Sequence, residues 1–506
     1  MPTIGGSVIH NASRVPDRTA LIAGHRRWSW AELDRAVAHV AARLRRAGLR
    51  PGERFAMIAG NTPAAVIAYF AAARNGAIVV PVNARLAPPE IAHILRDSDA
   101  AIVASARELD AVVEAALAEV DHKVVQFCLE DGGAHEDLLA APADDLDPLD
   151  ADHAAEPDDA LIIYTSGTTG KPKGVLLDHH RAIWAAMAQV VSLGLRDGER
   201  YLHLPPLYHS GGVVYLNAIT LLGGTHVLVP AFEPGEVLAT IERERITALL
   251  GVPTMYQFLL RHPAIEEHDV SSWRTGIFGA APMPAQTIEQ LLDRFPGVTF
   301  FQQCGQTEAG PTGIYSTYEQ IRSRPDSSGH LAQPFVQARV VDEHGADTSP
   351  GAVGELVLRG EPIMKGYWRQ PEATAETLRD GWLHTGDLMQ LYDDGAMRLV
   401  DRLKDVIITG GRNVYSAEVE QALAGHPDIA DCAVVGRPHP DWGETIVAVV
   451  SPKEGHQPTL DAVRAYLGSR LADYKLPREL HIGSVPRTPS GKVQKHLVRQ
   501  TLPKGI

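Results

Sequence analysis

Cysteine is almost missing: Cys128, Cys304 and Cys432 are the only three in 506 residues, an odd number, widely spaced and without a CxxC pair. That excludes a disulfide framework and a thiolate zinc site, and it fits a reducing compartment. No apolar run approaches the ~18 uninterrupted residues of a membrane-spanning helix, so no integral membrane segment is expected. The opening stretch MPTIGGSVIHNASRVPDR lacks the basic segment and apolar run of a secretory leader, and a cytoplasmic location is the expectation. Excess positive charge is missing too. The balance of 47 Lys+Arg against 62 Asp+Glu gives a formal charge of -15, the wrong sign for a protein that lives on nucleic acid or anionic lipid. Any phosphate site must therefore be local.

A chain of this length outgrows a single core, so two or more domains are expected. Between about residues 55 and 310 short apolar runs alternate with amphipathic stretches. IVVPV (78–82) reads as a strand, PPEIAHILRDSD (88–99) as a proline-opened helix and AAIVAS (100–105) as the next strand. THVLVP, EPGEVLATIERERI, TALL, WRTGIFG, PAQTIEQLLDRF and VTFFQQ repeat the alternation. Repeated βαβ units imply an α/β domain of parallel sheets covered by helices, with chemistry in the loops at the strand ends. Residues 130–159, rich in Asp, Ala and Pro without a period, read as a solvated acidic connector. From about 335 the texture turns β-rich, in FVQARVVD, GELVLRG and MRLVD. A small α+β unit follows DRLKD, which places the domain boundary between 402 and 403.

The most informative stretch is LIIYTSGTTGKPKGV, residues 161–175. A strand runs into a loop where Thr165, Ser166, Gly167, Thr168, Thr169 and Gly170 offer hydroxyls and unhindered backbone N–H groups, followed by Lys171 and Lys173. Glycines admit close approach of a polyphosphate, while hydroxyls and lysines supply neutral and charged donors. It is not the GxxxxGK[ST] loop, because Pro172 stands five residues after Gly167.

This segment resembles the signature of the adenylate-forming superfamily of acyl-CoA synthetases, luciferases and peptide-synthetase adenylation domains. The resemblance spans nearly the whole chain through PLYHSGG (206–212), GAAPMP (279–284), CGQTE (304–308), GELVLRG (354–360), GWLHTGDL (381–388), DRLKDVIITGGRNVYSAEVE (401–420) and PRTPSGK (486–492), in the family's order. It implies a large N-terminal ATP- and acyl-binding domain, residues 1–402, with a β-rich subdomain. A small mobile α+β domain, 403–506, would carry the adenylation lysine. It further implies an AMP-forming acid–thiol ligase using ATP, Mg2+ and coenzyme A.

Residue by residue, the resemblance implies that Thr307 and Glu308 meet the α-phosphate and that Glu308 coordinates magnesium. Gly279, Ala280, Ala281, Pro282, Cys304 and Gly305 would line the nucleotide, Asp387 would grip the ribose hydroxyls and Arg402 would orient ribose and phosphates. Lys492 would bridge the substrate carboxylate and the α-phosphate; a compact ammonium suits attack between two like charges. His209 would gate the acyl site. Lys404 falls at the hinge position about which the small domain turns between half-reactions, bringing Gly410 and Gly411 to the pantetheine tunnel. Two positions depart from the family pattern: Cys304 stands where a tyrosine usually stacks on adenine, and Arg412 where glutamate is common.

The expected acyl pocket is lined by Tyr208, Gly211, Gly212, Val213, Gly279, Ala280 and Gln303, with Gly310 and Gly313 nearby, small uncharged walls that leave room for a hydrophobic monocarboxylic acid, medium-to-long or bulky and cyclic. Three other readings stand beside the complete ligase. One is an acyl-AMP ligase that loads an acyl carrier protein. Another is an enzyme confined to thiol transfer on a supplied adenylate, and the last is a binding protein that keeps the fold without the chemistry.

Overall fold

The computed structural model describes residues 3–130, 132–133, 135–140, 147–165, 172–281, 283–487 and 493–502. The chain divides into two compact units, residues 1–338 with 358–383 and residues 339–357 with 384–506. The dividing line falls inside the β-rich stretch after residue 335.

Two sheets build the first unit. The larger runs Leu331–Ala332, Thr312–Ser316, Thr299–Gln306, Thr275–Gly279, Ala248–Gly251, Arg200–His203, Thr225–Leu228, Thr19–Ala23, Arg26–Ser29, and its six strands from Thr299–Gln306 to Thr19–Ala23 are parallel. The other has seven strands in the order Gly366–Tyr367, Lys173–Asp178, Asp159–Thr165, Ile78–Val82, Arg54–Ile58, Ala100–Ser105, Val125–Cys128. Local signals set the element ends. The helix Pro88–Ser98 opens on two prolines and stops at Asp99 in the left-handed region, where the strand Ala100–Ser105 begins. Helix Trp30–Arg46 is amphipathic and carries a Ser29/Glu32 capping box. Two helices lack a polar face. Pro63–Arg74 is buried from Ala64 onward, and Ser210–Leu221 is buried from Gly212 to Thr220. A helix apolar all round must be covered all round, and these two form the interior of the unit.

The stretch 130–159 differs in part from a solvated connector. Where it is described, the Leu149 N–H donates to Ala38 O (3.1 Å) and the His153 N–H to Arg74 O (3.0 Å). The Arg74 guanidinium, fully buried, donates to Asp34 and to Leu149 O. A buried arginine needs such acceptors, and the chain after residue 147 supplies one of them.

A buried histidine pair lies at the end of the strand that leads into residues 206–212. Thr220 Oγ1 donates to Leu216 O (2.8 Å), so it accepts from His226 Nε2 (3.1 Å); His226 Nδ1 must then accept from His203 Nε2 (3.0 Å). A proton added to His226 Nδ1 would face a donor. Burial pushes the His226 pKa down to about 3, and burial together with the neighbouring ring holds His203 well below its usual value. Because the folded-state values lie below the unfolded one, stability is intact above pH ~6.5 and falls as the pH drops toward 3. The His226 contribution to that loss between pH 7 and 5 is about 2 kcal/mol. His226→Gln should lose that much less stability than the parent over the same interval in urea titrations; identical pH slopes would refute it.

In the second unit a five-stranded sheet pairs Arg412–Val414, Ile407–Thr409, Gly443–Pro452 and Ile429–His439 antiparallel, with Glu479–Ile482 parallel to Gly443–Pro452. Helices Ser416–Ala424 and Leu460–Gly468 contribute to the core on one face through Val419, Leu423, Val463 and Leu467, and Val498 of the short helix Lys495–Thr501 packs on the other against Val435, Val447 and Val449. The buried Asp401 carboxylate accepts from Ser416 Oγ (2.6 Å) and the Ala417 N–H (3.3 Å) at the start of helix Ser416–Ala424. Among the described residues no helix is long and apolar enough to cross a membrane.

Candidate active site

Strand Asp159–Thr165 and strand Lys173–Asp178 pair antiparallel with Thr165 opposite Lys173, so they hold the two ends of the intervening loop side by side. Ser166, Gly167, Thr168, Thr169, Gly170 and Lys171 lie outside the described residues, as do Pro282 and Lys492. Lys173 Nζ stands 4.9 Å over the ring of Tyr367, which pairs with this strand through Tyr367 opposite Val175. The Tyr367 hydroxyl in turn donates to Glu308 Oε1 at 3.0 Å. Burial, reinforced by the Glu308 charge, raises the Tyr367 pKa strongly, so the phenol stays a donor. The backbone repeats the tie, since the Met364 N–H donates to Glu308 O at 2.9 Å. The carboxylate of CGQTE is thereby fastened to Tyr367, whose ring Lys173 covers.

Thr307 connects a second motif. Its hydroxyl and that of Ser210 are 2.9 Å apart, which joins CGQTE to PLYHSGG at the start of helix Ser210–Leu221. His209 is the N-cap residue of that helix, with its ring 4.8 Å from the ring of Tyr208. The preceding turn is fixed by buried Asn61: its amide donates to His203 O (3.0 Å) and Pro205 O (3.1 Å), and its Oδ1 accepts the Leu207 N–H (2.8 Å). Gly279 and Gln303 are cross-strand neighbours, so GAAPMP joins the same strand end. Ala280 has φ +66°, a left-handed conformation that costs an alanine on the order of 1–3 kcal/mol.

The glycines have a different use from the one expected. A Cβ at Gly212 would stand 2.3 Å from Pro206 O, at Gly279 2.5 Å from Gln303 O, at Gly305 2.3 Å from Thr312 O, at Gly310 2.2 Å from Pro362 O and at Gly313 2.3 Å from Cys304 O. Backbone already fills those positions. These residues are glycine because main chains approach closely, and open pocket volume does not follow from them. Gly211 is the exception, with Leu250 as the nearest atom at 3.8 Å. Val213 and Tyr208 are buried, while Cys304 and Gln303 are half-buried.

In the second unit, strand Trp382–Leu391 pairs with Met397–Arg402 so that Asp387 is opposite Arg402, and Arg402 Nε lies 3.0 Å from Asp387 Oδ1. Gly410 (φ +56°) and Gly411 (φ +73°) form the exposed turn between Ile407–Thr409 and Arg412–Val414, and a Cβ at Gly410 would meet Trp442 at 3.2 Å. The Arg412 guanidinium stacks 4.9 Å over Tyr474. Lys404 lies on the short turn Leu403–Asp405 between the hairpin and the sheet.

The donor set suits magnesium. Among the described residues no group of three or more His, Cys, Asp or Glu side chains is arranged to hold a metal ion by itself. Mg2+ characteristically keeps its waters and binds through one or two carboxylates plus substrate phosphates, so a single fastened carboxylate next to the Thr307 and Ser210 hydroxyls fits it.

Sequence reasoning missed Tyr367, Asn61 and the positioning role of Ser210. Tyr367 stands in KGYWRQP, where a tyrosine and a basic residue adjoin a turn, the only signal available.

Paired strands flanking a sequence rich in Ser, Thr, Gly and Lys, with a carboxylate tethered through Tyr367 to the second of them, in an α/β unit followed by an α+β unit, are the features of an enzyme that activates its substrate with a nucleotide. This chain belongs to the AMP-binding enzyme family, which matches residues 8–368, with the AMP-binding enzyme C-terminal domain matching 418–492. It falls in the acyl-CoA synthetase branch of the adenylate-forming superfamily and is an AMP-forming acid–thiol ligase that works with ATP, Mg2+ and coenzyme A. It is 41% identical to feruloyl-CoA synthase of an Amycolatopsis species over 98% of both chains, and 37% identical to indoleacetate–CoA ligase of Aromatoleum aromaticum over 97% of this chain and 96% of that one. Its fold matches o-succinylbenzoate CoA synthetase (MenE) from Bacillus subtilis in complex with an acyl-adenylate intermediate, with a TM-score of 0.88 at 28% identity over 99% of each chain.

Proposed function

We propose that this chain converts a hydrophobic aryl or cyclic monocarboxylic acid to its coenzyme A thioester in two half-reactions. The observation that supports the chemistry is the linkage of Ser210, Thr307, Glu308 and Tyr367 at the foot of the phosphate loop; the feruloyl and indoleacetate ligases among its relatives support the acid class. In the first step the carboxylate oxygen attacks the α-phosphorus of ATP and the bond to pyrophosphate breaks. Thr165, Ser166, Gly167, Thr168, Thr169, Gly170 and Lys173 hold the departing phosphates, Lys492 bridges the two anions, and Thr307 donates to the α-phosphate. Glu308 holds Mg2+, which offsets phosphate charge when bound. Gly279, Ala280, Ala281, Pro282, Cys304 and Gly305 line the base, and Asp387 with Arg402 receives the ribose. In the second step the small domain, 403–506, turns about Lys404, the thiol passes Gly410 and Gly411, its sulfur attacks the acyl carbonyl, and AMP leaves. His209 and Tyr208, with Gly212, Val213 and Gln303, border the acid.

The test is a paired assay over aryl, polycyclic and fatty acids: pyrophosphate release with ATP, then thioester formation on adding coenzyme A. Release with an aryl or cyclic acid and thioester formation support the proposal. Turnover of acetate or malonate alone ends the acid class. Thioester only on a phosphopantetheine carrier protein moves the acceptor, and thioester only from a supplied adenylate removes the first step.

Cys304 offers adenine no ring to stack on. Cys304→Tyr should lower the KM for ATP by about fivefold, the scale of an aromatic pair of ~1 kcal/mol. An unchanged or raised KM in initial-rate assays would refute the stacking argument.

A further inference from the structure

A polar network joins helix Ser210–Leu221 to strand Thr299–Gln306. Its amide orientations follow from two backbone groups. The Gly313 N–H donates to Gln333 Oε1 (3.0 Å), so Gln333 presents Nε2 to Gln189 Oε1 (3.1 Å). Pro311 O accepts from Gln189 Nε2 (3.2 Å), which also turns Gln189 Oε1 inward as an acceptor. Gln303 can meet that oxygen only through its Nε2, at 2.6 Å, and its own Oε1 accepts from the Tyr215 hydroxyl at 2.8 Å. Gln189, Tyr215 and Gln333 are buried and Gln303 is half-buried, so Gln303 is the one member with open surface. A primary amide has two N–H groups. One of those on Gln303 is used within the network, and the second is not needed there.

Position gives that donor a purpose. At the start of helix Ser210–Leu221, Ser210 meets Thr307; further along it, Tyr215 meets Gln303. Five helical residues span ~8 Å and four strand residues ~13 Å, the length of an aromatic ring carried on a two- or three-carbon acid. An acid activated beside Thr307 therefore brings the far edge of its ring to Gln303.

We propose that Gln303 determines specificity by donating its remaining amide N–H to an acceptor oxygen on the distal ring of the acid, favouring oxygenated aryl acids over size-matched hydrocarbon ones. Gln189, Gln333 and Tyr215 are positioning residues that stop the amide from flipping. The inference rests on the aryl-acid reading above and refines it: the site reads a polar group on the ring of the acid. A site built to hydrogen-bond a substrate group discriminates against the analogue that lacks it, because the site donor is left unpaired.

The experiment compares kcat/KM for 4-methoxycinnamate and 4-ethylcinnamate, alike in size but not in acceptor, on the full-length protein and on Gln303→Met. The parent should prefer the methoxy acid by about tenfold or more. In Gln303→Met the ratio should collapse toward one, with the methoxy acid's rate falling by the larger factor. A parent ratio near one overturns the inference without recourse to the variant, should the variant fold poorly. A ratio that survives in a folded Gln303→Met overturns it as well. Failure of both acids to release pyrophosphate overturns the aryl-acid reading and this inference together.

Discussion

Glu308→Gln should cut ATP-dependent pyrophosphate release by about a hundredfold or more, and the Mg2+ concentration for half-maximal rate should rise. The substitution is chosen because the amide oxygen of glutamine can still accept from the Tyr367 hydroxyl that now donates to Glu308 Oε1 at 3.0 Å. Packing and the tyrosine bond survive, and the full negative charge is removed. A carboxylate beside a polyphosphate is repulsive unless a cation lies between them, so the proposed placement of Glu308 calls for a metal ion there. Urea denaturation should therefore show a stability close to that of the parent. Rates within threefold of the parent, with an unaltered Mg2+ profile, would sink the assignment.

Lys492→Ala should separate the two half-reactions. Pyrophosphate release should fall by about 10²–10³, the scale of removing one donor aimed at developing charge. Thioester formation from a supplied acyl-adenylate and coenzyme A should stay within a few fold, because the second step starts after the α-phosphate has already been attacked. That asymmetry is the diagnostic. Equal loss in both assays would assign Lys492 to general binding or to folding, and no loss in either would remove it from the reaction. Run with Glu308→Gln, the comparison also tests independence: two groups that stabilise the same phosphorus centre should give a double variant less impaired than the product of the singles.

Much of the architecture could be read from the chain because its signals are local. Strands Ile78–Val82 and Ala100–Ser105 and helix Pro88–Ser98 begin and end where proline, alternation and the polar Ser-Asp pair place them. The family motifs named the loop, CGQTE and PLYHSGG for the same reason: each is a short contiguous run. What escaped was long-range. Tyr367 is 59 residues from Glu308, and Asn61 is 146 from the Leu207 N–H it holds. Nothing in either neighbourhood announces the partner. Composition also misled. The Asp-rich stretch after residue 130 reads as solvated, yet it ends against a buried arginine whose need for acceptors no local pattern reveals. Small residues suggested an open pocket, whereas most of those glycines lie flat against carbonyl oxygens, and a sequence does not distinguish empty space from close backbone contact. The glutamine network combines both difficulties, being built from four elements and from residue types that are mostly found at surfaces.

The carboxylate of Asp401 has one further implication. It closes the hairpin that bears Arg402 and is bolted to the first turn of the helix beyond Lys404 through Ser416 and Ala417. Lys495 from the last helix donates to the same serine. The proposed swing about Lys404 would have to draw this bolt, parting a charge-assisted bond worth about 1.5–3 kcal/mol and rewetting a buried anion. Were Lys404 the pivot of the proposed reaction, it would be detented: the catch would hold until ligand contacts in the other setting outweighed it, and adenylation would be kept ahead of thiol transfer by a contact within the smaller unit.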